Sequence, residues 1–135
     1  MLNDEISARL IQRALHARQW AYAPYSNYAV GAALLTASGR IYEGVNVENA
    51  AYPDSICAER VAIYKAVSEG ERQFVAIAVV TKDGGSPCGS CRQVLAEFGL
   101  ETVVLIANEQ GILLKETSVC ELLPQAFNST SLGEG

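Results

Sequence analysis

Basic residues are scarce in this chain and scattered. Ten lysines and arginines stand against fifteen aspartates and glutamates, a net charge of −5, and no Lys/Arg cluster occurs. Polynucleotide binders carry a basic face that displaces counterions from phosphates, so no nucleic-acid partner and no anionic-membrane partner are expected. A Gly-rich phosphate loop is missing as well. The longest apolar runs, such as VAIAVV (75–80) and VVLIA (103–107), are far too short to cross a bilayer. The stretch MLNDEISARL has neither the basic nor the apolar section of a secretion signal, and the expected location is the cytoplasm. That weakens a reading of the four cysteines as two disulfides. No internal repeat, linker or low-complexity insert interrupts the 135 residues, so a single domain over 1–135 is expected, with a loose tail at 128–135.

What is present is apolar patterning. Half of the residues are hydrophobic, enough for a sizeable core. Ile6, Leu10, Ala14 and Leu15 recur at helical spacing within 3–22, and Asn3 or Asp4 can cap that helix. AVGAALLTA (29–37) and RIYEGVNV (40–47) read as a hairpin turning at Ser38-Gly39. ENAAYPDSI (48–56) is a loop, and a helix is expected from near Cys57 to about Glu69, stopped by Gly70. FVAIAVVT (74–81) and TVVLIA (102–107) are nearly continuous apolar runs that suit strands buried on both faces. Between them a helix is expected with Ser86 as its N-cap, Pro87 as its first residue and Gly99 at its end. NEQG (108–111) turns into ILLKE (112–116), and a short helix near Val119–Leu123 follows. Strand–helix–strand units imply parallel neighbours and the hairpin adds an antiparallel edge, which makes an α/β protein with a mixed sheet and helices on its faces. Ligand sites in such sheets lie beyond the carboxyl ends of strands, next to helix N-termini.

The chemistry-bearing residues concentrate in CAER (57–60) and SPCGSCRQ (86–93). A zinc ligand must be a thiolate, and a helix N-terminus lowers a nearby thiol pKa. Cys57 falls at one helix start, and Cys88 and Cys91 fall in the first turns of another, on one face by their i, i+3 spacing. Three protein ligands leave a fourth tetrahedral position for water, the arrangement of a catalytic zinc. Arg60 can hydrogen-bond a thiolate and offset its charge. Glu59, in the first turn, can take a proton from the activated water and hand it to a leaving group. Other readings stay open on these residues alone. Glu59 can merely complement the helix dipole, and CGSC (88–91) can be a redox pair that leaves Cys57 and Glu59 unexplained. Cys120 can complete a four-thiolate structural site, and otherwise reads as a buried apolar cysteine. His16, the lone histidine, reads as a surface or packing residue. Asn46 and Glu48 alternate on one side of a strand end and can face a pocket, or simply mark the strand's exit.

CAER followed by PCGSCRQ resembles the zinc-dependent cytidine deaminases, and the likeness continues in AYAPYSNYAVGAALL (21–35), GVNVENAAYP (44–53) and ELLPQAF (121–127). The resemblance implies a three-layer α/β/α fold with a mixed five-stranded sheet. It implies hydrolytic removal of the 4-amino group of cytidine or deoxycytidine by a zinc-activated hydroxide, a step in pyrimidine salvage. It also implies one Zn2+ per subunit and, for chains this short, a homotetramer with shared sites. By the same resemblance Cys57, Cys88 and Cys91 hold zinc, Glu59 shuttles protons, Asn46 and Glu48 hold the ribose 3′-hydroxyl, and Ala58 offers backbone to the base. Tyr52, preceded by Ala50 and Ala51, reaches a neighbour's site near the 5′-hydroxyl, and Phe127 covers the base from another subunit. Tyr28 departs from the family's usual phenylalanine in P-Y-S-x-F; its ring can stack on a pyrimidine while its hydroxyl needs a partner if buried. That departure keeps a second reading, a deaminase of modified cytosine nucleosides such as the blasticidin deaminases. A non-catalytic zinc-stabilised interaction domain is the rival of another class, and Glu59 argues against it.

Overall fold

The computed structural model describes residues 2–133. The first helix, α1 (Asp4–Arg18), starts where Asn3 accepts the Ile6 amide, and it buries Ser7, Leu10, Ile11, Ala14 and Ala17 along one face. The hairpin follows as β1 (Gly31–Thr36) and β2 (Ile41–Val45). Then come α2 (Ala58–Ser68), β3 (Phe74–Val80), α3 (Gly89–Phe98), β4 (Val103–Ala107), β5 (Leu113–Ser118) and the single turn α4 (Val119–Leu122). Gly70 ends the α2 region at φ +89° and Gly99 ends α3, as the sequence indicates. Residues 129–132 form a 3-10 turn capped by Asn128; of the tail expected to be loose, residues 134–135 lie outside the described residues.

The five strands form one mixed sheet in the order β2-β1-β3-β4-β5. Only the β3–β4 pair is parallel; β1 is antiparallel to both β2 and β3, and β5 to β4. Strand side chains alternate between faces, and here the alternation sorts two cores. Leu34, Ile77, Val79, Val104 and Ile106 point to one face, where they meet Ala62, Ile63 and Ala66 of α2 and Leu95 of α3. Ala33, Leu35, Ala76, Ala78, Val80 and Leu105 point to the other, against Leu10, Ile11 and Ala14 of α1. The result is the three-layer α/β/α arrangement implied by the sequence. Both faces of β3 and β4 are covered, which is why those two strands read as unbroken apolar runs.

One difference from the sequence reading touches the site. The α3 helix begins at Gly89, with Cys88 as its extended N-cap (φ −69°, ψ 171°), rather than at Pro87 behind a Ser86 cap. Arg92 explains the shift: its Nε donates to the Pro87 carbonyl at 2.8 Å and its Nη2 to Ser86 Oγ at 2.9 Å. The Ser86 hydroxyl therefore serves the guanidinium instead of capping the helix. Cys120 also departs from expectation, lying exposed on α4 rather than buried.

The sheet positions the functional residues by direction. Gly31 pairs with Val45 of β2 and with Val80 of β3, so the start of β1 and the ends of β2 and β3 share one edge. Tyr28 precedes that start, Asn46 and Glu48 follow the first end, and Thr81 to Cys88 follow the second. No described helix is long and apolar enough to cross a membrane.

Candidate active site

At that edge opens a cavity of about 560 Å3. Its lining includes Tyr28, Asn46, Glu48, Tyr52, Cys57, Ala58, Glu59, Arg60 and Cys88. Cys57 is the N-cap of α2 and Cys88 the N-cap of α3, so two positive helix ends converge there. With Cys91, one turn into α3, their sulfurs all lie within 4.8 Å of one another. Cys57 Sγ is 3.8 Å from Cys88 Sγ, which is 3.5 Å from Cys91 Sγ. Zn–S bonds of about 2.3 Å at tetrahedral angles place sulfurs roughly 3.8 Å apart, so the trio fits a zinc ion. No fourth Cys, His, Asp or Glu joins the cluster among the described residues. Cys120 therefore does not complete a four-thiolate site, and His16 is exposed on α1 beside Gln19.

The charge of the trio is managed locally. The Cys91 thiol leans on Cys57, and Arg60 donates to it from Nη2 at 3.3 Å; together they outweigh burial and draw the Cys57 pKa down to about 5. Its contact with Cys57, with burial behind it, drives Cys91 the other way. The Arg60 guanidinium is held charged chiefly by Cys57. Its Nε is buried and has no hydrogen-bond partner among the described residues.

Glu59 is 4% exposed. Burial pushes its carboxyl up to about 7, against its own backbone N–H, and the Cys57 charge adds to the rise. A carboxyl poised near neutrality beside a metal trio suits proton transfer in either direction.

The polar wall opposite is built from the loop before β1 and the end of β2. Asn46 is buried; its Oδ1 accepts the Val30 amide and its Nδ2 donates to the Tyr28 carbonyl, each at 2.9 Å. One N–H and one lone pair of that amide remain for another partner. Glu48 Oε1 accepts the backbone N–H of Tyr25 at 3.0 Å and of Ser26 at 3.1 Å, and Oε2 accepts the Ser26 hydroxyl. These donors, the hydroxyl first, hold its carboxyl below the usual range against burial. Ala58 is buried between Cys57 and Glu59. Tyr52, 73% exposed, stands at the rim in the 3-10 turn Tyr52–Asp54. Ala50, Ala51 and Phe127 lie outside this cavity and are exposed. Phe127 is tied to α3 through its carbonyl, which accepts Gln93 Nε2 at 2.7 Å.

The structure adds lining residues that sequence reasoning left out: Ser26, Thr81, Gly85 and Ser86. Thr81 and the two residues after Gly84 carry a legible signal, because they follow the carboxyl end of a buried strand. Ser26 carries no such signal; its role depends on Glu48, which is distant in sequence.

Comparison with known proteins agrees with this geometry. Residues 4–107 match the family described as the cytidine and deoxycytidylate deaminase zinc-binding region. A cytidine deaminase of Sporosarcina psychrophila is 50% identical over 127 residues, covering 92% of this chain and 93% of that protein. A cytidine deaminase of Halalkalibacterium halodurans is likewise 50% identical, covering 93% of this chain and 96% of its own. The crystal structure of a cytidine deaminase from Burkholderia pseudomallei superimposes with a TM-score of 0.85 at 46% identity, covering 93% of this chain and 100% of that one. With a zinc-fitting cysteine trio, a buried glutamate beside it and these relatives along nearly its whole length, the chain belongs to the zinc-dependent cytidine deaminase family.

Proposed function

We propose that the protein converts cytidine and deoxycytidine, with water, to uridine and deoxyuridine and ammonia. The observation that carries this reading is the pairing of the Cys57–Cys88–Cys91 trio with a Glu59 carboxyl buried at the floor of a nucleoside-sized cavity. Zinc, when bound by the trio, acidifies a water ligand toward neutral pH and so supplies the nucleophile for C4 of the base. Glu59 would take one proton from that water and pass it to N3 of the base, then carry the second to the 4-amino group so that it leaves as ammonia. Ala58, rigid at the helix start, presents its backbone to the base, and the Tyr28 ring flanks it. Asn46 and Glu48 accept from the sugar hydroxyls, and the carboxylate acceptor disfavours a 3′-phosphodiester, which offers no proton. Arg60 acts on the sulfurs rather than on substrate.

The assembly belongs to the same reading. Tyr52 is 73% and Phe127 58% exposed, large aromatic areas for a free surface. A homotetramer that covers them with neighbouring subunits, bringing Phe127 and the Ala50–Tyr52 segment to adjacent sites, accounts for both. Free thiols as ligands suit the reducing cytoplasm, where pyrimidine salvage uses such an activity.

The test is the ultraviolet absorbance change of cytidine with purified, zinc-loaded protein, with a cytosine nucleoside antibiotic run alongside. Turnover of cytidine by the parent supports the reading. Turnover of the antibiotic alone transfers it to modified nucleosides, and turnover of neither overturns it.

A further inference from the structure

The Tyr28 hydroxyl has no part in the reaction proposed above, yet the structure gives it a specific partner. It donates to Asp83 Oδ1 at 2.7 Å, across 55 residues of sequence. Asp83 belongs to the loop between β3 and α3, which runs from Thr81 to Cys88. That loop is fixed at both ends. Thr81 Oγ1 accepts the Gly84 amide at 2.8 Å and the Gly85 amide at 2.7 Å, and Arg92 grips Ser86 and Pro87. Between these anchors the phenol lies so close that a Cβ at Gly85 would stand 2.7 Å from its oxygen. The other end of Tyr28 is fixed as well, with its amide donating to Ser26 Oγ at 3.0 Å and its carbonyl accepting from Asn46.

A ring 37% exposed at a cavity wall changes rotamer unless its far end is held, and substrate would then have to order it on binding; Asp83 accepts its proton, with the Thr81 hydroxyl and the Gly85 backbone N–H beside it. A hydrogen bond at the far end of the ring removes that cost in advance. We propose that Asp83 is a positioning residue for nucleoside binding: by accepting the Tyr28 hydroxyl it fixes the aromatic wall of the pocket and ties it to the loop that ends at Cys88. This rests on the nucleoside reading above and concerns substrate affinity, not the chemical step.

The experiment is a double-mutant cycle on the zinc-loaded protein, reading kcat and KM for cytidine, calorimetric Kd for uridine, and zinc content. Asp83→Ala raises KM and the uridine Kd about three- to tenfold, the range of one hydrogen bond, with kcat within about twofold of the parent and zinc unchanged. Asp83→Asn, which keeps the acceptor, stays near the parent. Tyr28→Phe matches Asp83→Ala, and the double variant is no worse than either single one. Unchanged affinity in Asp83→Ala, multiplying effects in the double variant, equal damage from Asp83→Asn, or loss of zinc would each overturn the positioning role. A parent that neither converts cytidine nor binds uridine overturns the nucleoside reading and this role with it. A parent that does both, while the two positions act independently, overturns this role alone.

Discussion

Gly44 lies directly against the backbone of Ala58. A Cβ at Gly44 would stand 2.3 Å from the Ala58 carbonyl oxygen and 2.6 Å from the Ala62 amide nitrogen. Both obstacles are helix backbone, which cannot rotate away as a side chain can. This close approach seats the first turn of α2, and with it Cys57 and Glu59, on β2.

Gly44→Ala is accordingly expected to lower stability by about 1–3 kcal/mol, or more, and to displace the start of α2. Chemical denaturation should show the loss, and zinc content and turnover should fall together at neutral pH. A variant with parent-like stability and zinc would mean that α2 shifts without consequence for the site.

Glu59→Gln preserves size and polarity and removes the carboxyl proposed to carry the proton. Burial, which pushes the carboxyl up to about 7, makes a neutral amide acceptable at this position. Zinc and fold are expected to persist while kcat drops by about 10²–10⁴-fold. Substantial turnover by a folded, zinc-loaded Glu59→Gln variant would remove the residue from proton transfer.

Much of this site is legible in sequence because its anchors are local. The C-x2-C spacing fixes Cys88 and Cys91 on one helical face, and Cys57 and Glu59 share one helix start. The two-faced burial of β3 and β4 shows in their unbroken apolar runs. What stays hidden depends on contacts across the fold. The start of α3 shifts to Gly89 because Arg92, six residues past Ser86, claims the serine hydroxyl. The partner of the Tyr28 hydroxyl lies 55 residues away, in a loop whose KDGG sequence signals only a turn. Ser26 looks like any loop serine until Glu48 comes to rest on it. Cys120 sits in an apolar string, yet α4 is a single turn and leaves it outside.

Arg60 is a cation beside the Cys57–Cys88–Cys91 trio. Its Nη2 bonds Cys57 Sγ and its charge is also felt by Cys91, while its buried Nε has no hydrogen-bond partner among the described residues. Arg60→Gln removes the charge that offsets the sulfurs. Zinc affinity, measured by competition with a chelator, is expected to fall about 10–100-fold. His16→Ala, as control, should bind zinc like the parent. An unchanged affinity in Arg60→Gln would show that the helix ends alone suffice.

Ser26 and Glu48 give the clearest dependence on pH. The Ser26 hydroxyl is the foremost cause of Glu48's lowered pKa, with the backbone N–H groups of Ser26 and Tyr25 assisting against burial. A carboxyl lowered on folding contributes stability that is present above its unfolded pKa and is lost as pH falls through the folded one. The window is therefore acidic, below the ordinary glutamate value of about 4.3. Ser26→Ala removes the foremost cause and leaves the backbone donors in place. The Glu48 pKa is expected to move up toward the ordinary value, as a carbon-detected NMR titration of its carboxyl can read. Glu48 stays ionised at neutral pH in parent and variant alike, so KM for cytidine between pH 6 and 8 should keep its pH profile. Its level should nevertheless rise if Glu48 holds the sugar as proposed, because Glu48 loses the hydroxyl that fixes it. A Glu48 pKa that does not move would show that the backbone amides alone hold the carboxylate, leaving Ser26 only its contact with the Tyr28 amide.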